Sequence, residues 1–304
     1  MQTELKMNDF NNLICREIKI DVTNVCNLSC PLCPDTGRRT GREHAPKIMS
    51  VSEFKKFADS IKVFPEHITF GSKHEPLINK SIWEMIKYIS AKSAGLQTSV
   101  LTNLNLLGSV SEMVESKVRN VLIGLDGIDQ ESYEKYRTGG NFDIVIDNIK
   151  LIQHYKKKIN SEYPKLAIGF VVFRHNEHLM NRAKEFFKKF DVEVYFRRTD
   201  FYKGFEDWMP LNFQCSYGKE THEHCCNEPF ESANINVFGD VYPCCAEEIV
   251  KFPVGNVFQQ PFDEIWNGEK INSIRNFLLN KTSGTGSAAC LFCPVYKRNG
   301  CTDV

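Results

Sequence analysis

The sequence carries no excess of charge of either sign, because its 304 residues hold 38 Lys and Arg against 38 Asp and Glu. This balance argues against a nucleic-acid partner, since binding to a polyanion usually requires a basic surface. The sequence also lacks an apolar run long enough to span a membrane. Its first residues lack the basic head and apolar stretch of a secretory signal, and no internal repeat or low-complexity segment stands out. We therefore expect neither a nucleic-acid nor a membrane partner.

The composition is that of a globular chain rich in cysteine. It is 42% hydrophobic and 25% charged, which is enough apolar material for a full core. Twelve cysteines without a secretory signal favour metal or redox chemistry over disulfides. We expect an oxygen-sensitive protein of the reducing cytoplasm.

Three of the cysteines, Cys26, Cys30 and Cys33, lie in one short loop with the spacing C-x3-C-x2-C. Three thiolates can hold three corners of a four-iron cluster and leave the fourth iron open to a small molecule. A disulfide loop or a zinc site is the alternative. Zinc favours four protein ligands, so it would have to recruit a residue such as His44.

The cysteine loop directly follows a strand-like run, Arg16 to Val22, and it resembles the signature of the radical S-adenosylmethionine (SAM) superfamily. The resemblance implies that the open iron of a [4Fe–4S] cluster binds the amino and carboxylate groups of SAM. Reductive cleavage of SAM would then give a 5′-deoxyadenosyl radical that abstracts hydrogen from a C–H bond. An electron donor such as flavodoxin or ferredoxin is also implied.

After the cysteine loop, strand-like runs alternate with helix-like runs. The predicted strands are Glu17–Val22, His67–Phe70, Gln97–Leu101, Asn120–Leu125, Lys165–Phe173 and Val192–Arg197. The predicted helices are Ser52–Ile61, Ser81–Ala94, Val110–Ser116, Phe142–Lys157 and Leu179–Phe190. Such alternation predicts a parallel α/β sheet with right-handed crossovers. The pattern fits both a doubly wound sheet and a barrel; the resemblance favours a partial (β/α)6 barrel.

The pattern changes near residue 200, so we predict a barrel domain over residues 1–200 and a small, Cys-rich α+β extension over 201–304. In the extension, Gly239-Asp240 separates two apolar runs, Asn234–Phe238 and Val241–Cys244, which predicts a hairpin. Helices are predicted over Phe262–Trp266 and Glu269–Leu279. The Gly/Ser/Thr-rich residues 282–287 indicate a connector.

Several strand ends match SAM-binding elements of the family. Active sites of β/α barrels form at the carboxyl ends of the strands. The SAM-binding residues that the resemblance implies are Leu32, Gly71, Glu75, Thr102, Asn103, Asp126 and Arg137. Turn chemistry at the strand ends, or solvated side chains, would be the alternative for these positions. One departure is clear: the family usually has adjacent glycines before Glu-Pro, whereas Ser72 and a longer loop follow Gly71 here.

A second set of cysteines lies in the C-terminal part. Its order resembles the SPASM/Twitch extension of radical SAM enzymes, which holds auxiliary iron–sulfur clusters. The implied ligands of one auxiliary [4Fe–4S] cluster are Cys226, Cys244, Cys290 and Cys293. The doublets Cys225-Cys226 and Cys244-Cys245 leave the ligand choice open by one position, and a structural zinc is the alternative. Cys215 and Cys301 have no assigned role.

The reaction is less constrained than the cofactor. The cysteine loop begins almost at the first residue, which leads us to expect no leader-peptide recognition domain before the barrel. The single auxiliary cluster and the compact length resemble the carbohydrate-modifying dehydrogenase and epimerase branch. The catalytic candidates are Arg198 and Asp200, which follow the last strand beside Arg197, and Cys245 as a hydrogen-atom donor.

The leading hypothesis is a radical SAM oxidoreductase or epimerase that acts on a sugar, an amino sugar or a similar polar small molecule. The first alternative is a maturase that epimerises, crosslinks or oxidises a ribosomal peptide. The second is a non-catalytic iron–sulfur or zinc scaffold protein, because the fold by itself does not specify a function.

Overall fold

The computed structural model describes residues 12–33, 45–197, 206–213, 226–244 and 252–280, together with residues 290 and 293. The chain divides into two compact units. One comprises residues 1–20, 49–69 and 220–304, and the other comprises residues 21–48 and 70–219. The predicted domain boundary at residue 200 lies outside the described residues and stays a prediction. No helix in the described ranges is both long enough and apolar enough to cross a membrane.

The six strands predicted for the barrel are all present, and their ends agree with the prediction to within two residues. The strands are β1 (Glu17–Ile20), β2 (His67–Phe70), β3 (Gln97–Thr102), β4 (Asn120–Gly124), β5 (Lys165–Val171), β6 (Glu193–Arg197), β7 (Ser232–Ile235), β8 (Asp240–Tyr242) and β9 (Gly255–Asn256). The hairpin of β7 and β8 confirms the one predicted around Gly239-Asp240, although its turn ends before Asp240. Asn236 makes the turn, because its Oδ1 accepts hydrogen bonds from the backbone N–H groups of Phe238 and Asp240.

All seven predicted helices are present, and the structure adds two short helices that were not predicted. The helices are α1 (Val51–Ser60), α2 (Ile82–Ser90), α3 (Val110–Glu115), α4 (Gln130–Glu134), α5 (Phe142–Lys158), α6 (Met180–Lys188), α7 (Glu228–Glu231), α8 (Phe262–Trp266) and α9 (Glu269–Asn280). The two additional helices are α4 and α7. Helix α2 ends four residues earlier than predicted, because the chain turns after Ser90: the Lys92 N–H bonds the Ile89 carbonyl, and the Leu96 N–H bonds that of Ser93.

Two local patterns explain where helices begin and which face they bury. Ser50 caps α1 in a capping box, since its Oγ accepts the Glu53 N–H while the Glu53 carboxylate accepts the Ser50 N–H. In α5 the apolar stripe is buried as its spacing predicts. The buried residues of this helix are Phe142, Val145, Ile146, Ile149 and Ile152.

The unit of residues 21–48 and 70–219 contains β3, β4, β5 and β6 side by side in that order. All three pairings are parallel, with Gly124 of β4 opposite Gly169 of β5 and Val171 of β5 opposite Arg197 of β6. The carboxyl ends of these strands therefore lie along one edge of the sheet. Polar residues at that edge are in the position where parallel α/β sheets bind ligands.

The unit of residues 1–20, 49–69 and 220–304 has the strand order β2, β1, β7, β8 and β9. Strand β1 pairs with β7 in parallel, and β7–β8 and β8–β9 are antiparallel pairs. Helix α1 packs on α8 through an edge-on contact of the Phe57 and Phe262 rings, with centroids 6.3 Å apart. After residue 200, the antiparallel strands β7, β8 and β9 occur together with helices α7, α8 and α9, which agrees with a small α+β extension.

Candidate active site and metal centres

A cavity of about 390 Å³ lies at the carboxyl ends of the strands in the unit of residues 21–48 and 70–219. Its size is within the usual range for a small-molecule site. Six of the seven residues predicted to bind SAM line it, namely Leu32, Gly71, Glu75, Thr102, Asn103 and Arg137. The three cysteines Cys26, Cys30 and Cys33 line the same cavity. The structure thus brings together the cysteine loop and the strand ends that the sequence places far apart.

The thiols of the cysteine loop receive hydrogen bonds suited to bound thiolates. The Cys26 Sγ accepts the Leu28 N–H at 3.5 Å and the Asn103 Nδ2–H at 3.9 Å. Burial raises the pKa of Cys26 and of Cys30; the Arg137 guanidinium opposes this rise at Cys30. Because iron binds the thiolate, assembly of a cluster here must release the thiol protons. N–H donors aimed at the sulfur fit a thiolate-bound cluster.

Glu75 is a buried connector between two strand ends. Its side chain accepts three hydrogen bonds, from the Leu77 N–H at 3.0 Å, the Thr102 hydroxyl at 2.7 Å and the Asn103 N–H at 2.7 Å. Burial raises the pKa of this carboxyl group, although the three donors oppose the rise. The Asn103 side chain in turn donates to Asn27 Oδ1 at 2.9 Å. Glu75 therefore joins the loop after β2 to the end of β3, and Asn103 joins that end to the cysteine loop.

Asp126 lies beneath the cavity and is not part of its lining. The side chain is fully buried; Oδ1 accepts the Val171 N–H at 2.6 Å and Oδ2 accepts Nε–H of Arg137 at 2.5 Å. Burial by itself would lower the pKa of Arg137, but the Asp126 carboxylate raises it well above its ordinary value. The guanidinium lies over Gly124, where a Cβ atom would be 2.6 Å from its Nη2. Asp126 orients the arginine that lines the cavity.

The loop after β2 is shaped by a glycine and an aspartate. Gly71 has φ +83°, and a Cβ there would lie 2.6 Å from Pro76 Cγ and 2.7 Å from the Leu101 carbonyl oxygen. Asp21, the first residue after β1, accepts the backbone N–H groups of Ser72 at 2.7 Å and Lys73 at 3.2 Å. Burial raises the pKa of Asp21. These contacts fix the longer loop that the sequence showed as a departure from the family pattern.

Sequence reasoning missed two groups of residues near the cavity. Lys73 and His74 line it, and their position between Gly71 and Glu75 was the available signal. The second group is an aromatic cluster packed beside the cysteine loop: Tyr136, Phe173, His175 and Trp208. The His175 ring stacks on Phe173 with centroids 5.3 Å apart and an interplanar angle of 10°. The aromatic cluster, unlike Lys73 and His74, follows no motif in the sequence.

The second set of cysteines lies in the other unit. Burial raises the pKa of Cys226 to about 12 and that of Cys290 to about 11, and the neighbouring cysteine thiols contribute to both shifts. Cys226, Cys290 and Cys293 are thus close enough to interact, and the Cys293 N–H donates to the Cys290 carbonyl at 3.0 Å. Cys244 is half-buried after β8. Within the described ranges no three His, Cys, Asp or Glu side chains are already gathered around the position of one metal ion.

The three catalytic candidates, Arg198, Asp200 and Cys245, lie outside the described residues, as does Cys225. Their roles stay predictions. Arg197, the last residue of β6, is described and lines the cavity.

Comparison with known families agrees with this geometry. Residues 20–183 match the radical SAM superfamily, which is more than half of the chain. The chain belongs to the radical SAM superfamily. Residues 225–294 match the SPASM iron–sulfur cluster-binding domain. A radical SAM domain implies a [4Fe–4S] cluster and SAM, and a SPASM domain implies auxiliary iron–sulfur clusters.

Among curated relatives, the chain is similar to the probable GTP 3′,8-cyclase of Methanococcus maripaludis, with 31% identity over 136 residues, 44% of each chain. It is also similar to the mycofactocin maturase MftC of Mycolicibacterium smegmatis, with 27% identity over 161 residues, 51% of this chain and 37% of the relative. The matched segment therefore spans less than half of the length of each of these two relatives.

Solved structures share the fold over nearly the whole chain. BtrN in complex with AdoMet and 2-DOIA has a TM-score of 0.56 at 16% identity, covering 95% of this chain and 92% of BtrN. Streptococcus suis SuiB bound to S-adenosylmethionine has a TM-score of 0.66 at 15% identity, covering 93% of this chain and 72% of SuiB. At such identities the likeness shows the fold alone. The predicted fold, a radical SAM α/β core with a SPASM extension, is confirmed.

Proposed function

We propose that this radical SAM protein is an oxidoreductase or epimerase that removes hydrogen from a sugar, an amino sugar or a similar polar small molecule. The observation that supports it most directly is that the three loop cysteines line the same cavity as Glu75, Thr102, Asn103 and Arg137. When bound, the cluster and SAM supply a 5′-deoxyadenosyl radical for hydrogen abstraction. Cys26, Cys30 and Cys33 would hold the cluster, and the strand-end residues would hold SAM.

The protein's own residues have separable tasks in this proposal. Arg137, oriented by Asp126, presents a guanidinium to the SAM carboxylate, for which its fork of donors is suited. Leu32, which is 2% exposed, offers an apolar surface beneath the adenine. Gly71 lets the backbone approach the methionyl amino group. Arg198 would bind substrate, Asp200 would bind substrate or take its hydroxyl proton, and Cys245 would donate a hydrogen atom if the product is an epimer.

We further propose one auxiliary [4Fe–4S] cluster held by Cys226, Cys244, Cys290 and Cys293, which would accept the electron left on an oxidised substrate. Four thiolates are the full ligand set of such a cluster. A cytoplasmic location and an electron donor such as flavodoxin or ferredoxin belong to the same proposal.

The experiment is anaerobic reconstitution followed by incubation with dithionite and SAM. We expect 5′-deoxyadenosine and about eight irons per chain, four for each cluster. Cys30→Ala should abolish SAM cleavage, whereas Cys290→Ala should spare cleavage and block turnover of substrate. Absence of 5′-deoxyadenosine in the wild-type protein, with iron near zero, would support the scaffold alternative instead. About four irons would remove the auxiliary cluster from the proposal.

A ribosomal-peptide maturase is the second candidate, favoured by the match to the mycofactocin maturase over 51% of this chain. Product analysis separates the two. A mass change on added amino sugars or sugar acids supports the small-molecule reaction, and a change confined to added peptides supports the maturase. For either substrate, solvent deuterium in the product carbon indicates a thiol hydrogen donor, whereas its absence favours dehydrogenation.

A further inference from the structure

The loop between β2 and the turn at Pro76 carries two basic residues into the cavity. Lys73 and His74 both line it, and both are partly buried. The backbone of this loop is held in place, because Asp21 Oδ1 accepts hydrogen bonds from the N–H groups of Ser72 and Lys73. The other Asp21 oxygen, Oδ2, lies 4.0 Å from Nδ1 of His74. Asp21 thus fixes the backbone of the loop, and its carboxylate interacts electrostatically with both His74 and Lys73.

Apart from the three cysteines, which would hold the cluster as thiolates, the charged side chains of the cavity lining are mainly basic. Lys73, Arg137 and Arg197 line the cavity, whereas Glu75 is the only Asp or Glu residue in the lining that the structure describes. Glu75 cannot serve as an exposed anion, since three protein donors already occupy its carboxylate. Basic side chains gathered in a partly enclosed site focus a positive potential on whatever binds there.

SAM accounts for only part of this charge. It brings one carboxylate, and Arg137 is the guanidinium that Asp126 orients toward such a group. SAM also brings an ammonium and a sulfonium, which are cations and gain nothing from additional lysine or arginine nearby. A second anionic group in the same cavity would therefore be attracted by Lys73 and Arg197.

We propose that Lys73 and Arg197 bind an anionic group, a carboxylate or a phosphate, on the substrate itself. This rests on the proposed function, because it assumes that substrate and SAM share the cavity. Lys73 comes from the loop after β2 and Arg197 from the end of β6, so a substrate anion between them would be held from two separate segments. Arg197 is more exposed than Lys73 and would lie toward the entrance.

The test is equilibrium binding to the cluster-reconstituted, SAM-loaded protein by isothermal titration calorimetry, with glucose 6-phosphate, glucuronate and glucose as probes. We expect at least one anionic probe to bind about tenfold or more tightly than glucose, and the preference to shrink at high salt. Preference for glucose 6-phosphate alone identifies a phosphate, and preference for glucuronate alone identifies a carboxylate.

Two variants locate the effect. Lys73→Met should lower the affinity for the anionic probe about tenfold. Lys80→Met removes an exposed lysine farther along the same segment and should leave this affinity unchanged. Three results would each overturn the proposal. They are equal effects of the two variants, equal affinity for glucose and its anionic analogues, and no binding of either anion at about 10 mM. So would an equal loss of SAM affinity in Lys73→Met, since the lysine would then serve the SAM carboxylate.

Failure of this inference is distinguishable from failure of the proposed function. Wild-type protein that forms 5′-deoxyadenosine but does not prefer anionic probes retains radical SAM chemistry and loses only the assignment of Lys73 and Arg197. Wild-type protein that forms no 5′-deoxyadenosine overturns both.

Discussion

Nε of Arg137 lies 2.5 Å from Oδ2 of Asp126, and the aspartate side chain has no exposed surface. The carboxylate also accepts the Val171 N–H of the neighbouring strand, so one buried group joins β4, β5 and the arginine that lines the cavity. An acidic residue at a strand end can thus serve an active site without touching its ligand. This relationship leads to the first prediction.

Asp126→Asn should destabilise the protein by about 3 kcal/mol, because it leaves the buried Arg137 cation without its counterion. It should also weaken SAM binding, since the guanidinium loses the group that orients it. Urea unfolding and SAM titration measure the two effects. The control is Asp147→Asn, which removes an exposed pair with Lys150 (side chains 72% and 55% exposed) and should cost less than about 1 kcal/mol. Equal losses in the two variants would contradict the structural role given to Asp126.

Gly71→Ala should destabilise the protein by about 2 kcal/mol or more and abolish SAM binding. The positive φ disfavours any L side chain, and the added Cβ would collide with Pro76 and with the Leu101 carbonyl. Gly95→Ala is the matched control, because no atom lies within 4 Å of the Cβ position at Gly95. Its effect on unfolding should stay within about 0.5 kcal/mol. Normal SAM affinity in the Gly71 variant would show that the loop tolerates a side chain there.

The strands were predictable because their apolar runs are short, buried and separated by longer helical patterns. Elements without such a pattern were missed. Helix α4, Gln130–Glu134, buries only Tyr133, so no period of 3.6 residues can develop within its five residues. Strand β9 has two residues and depends on pairing with β8. Their existence is set by tertiary contacts rather than by local pattern.

The site could be predicted where a residue of suitable chemistry follows the end of a strand, as for the cysteine loop and for Glu75. The direction in which each side chain points could not be predicted. Asp126 follows β4 and Arg137 follows α4, yet the first faces the core and the second faces the cavity. Likewise, the placement of Lys73 depends on the hydrogen bond that its backbone N–H donates to Asp21, which is distant in sequence. Such relations become visible only once the strands are assembled.

Stability should depend on pH through His175. Burial among Phe173 and Trp208 lowers the pKa of this histidine from 6.5 to about 4, and the positive charges of Lys135 and His178 add to the shift. Between these two values the unfolded chain binds more protons than the folded chain. The free energy of unfolding should therefore fall as the pH falls from 6.5 to about 4, by about 1–2 kcal/mol after solvent screening.

His175→Phe should remove this part of the pH dependence, because phenylalanine keeps an aromatic ring in the stack and cannot take up a proton. Urea unfolding of the apoprotein at a series of pH values in that range measures it. His154→Phe, at an exposed position of α5, should leave the slope as in the wild type. A slope unchanged in the His175 variant would assign the acid sensitivity to other groups.

Arg275 is a buried cation in α9 that fixes the segment leading out of Cys226. Its Nε–H donates to the Pro229 carbonyl at 2.8 Å, and Nη1–H groups donate to the Trp266 carbonyl at 2.8 Å and to Asn272 Oδ1 at 2.7 Å. The guanidinium also lies over the Trp266 ring, 4.4 Å from its centroid. Burial lowers the pKa of Arg275 to about 10, so the side chain remains charged at neutral pH.

Arg275→Met should lower the free energy of unfolding by about 2–3 kcal/mol, because it leaves buried carbonyl groups without donors, and this loss exceeds the gain from removing a buried charge. It should also reduce the iron retained by the auxiliary site, since the Pro229 carbonyl anchors the turn that follows Cys226. Urea unfolding measures the first effect. Iron analysis of Arg275→Met combined with Cys30→Ala, which removes a ligand of the first cluster, measures the iron held by the auxiliary site. Arg182→Met, which removes an exposed arginine of α6, is the control and should change neither. Full iron retention in the Arg275 variant would limit the residue to a role in stability.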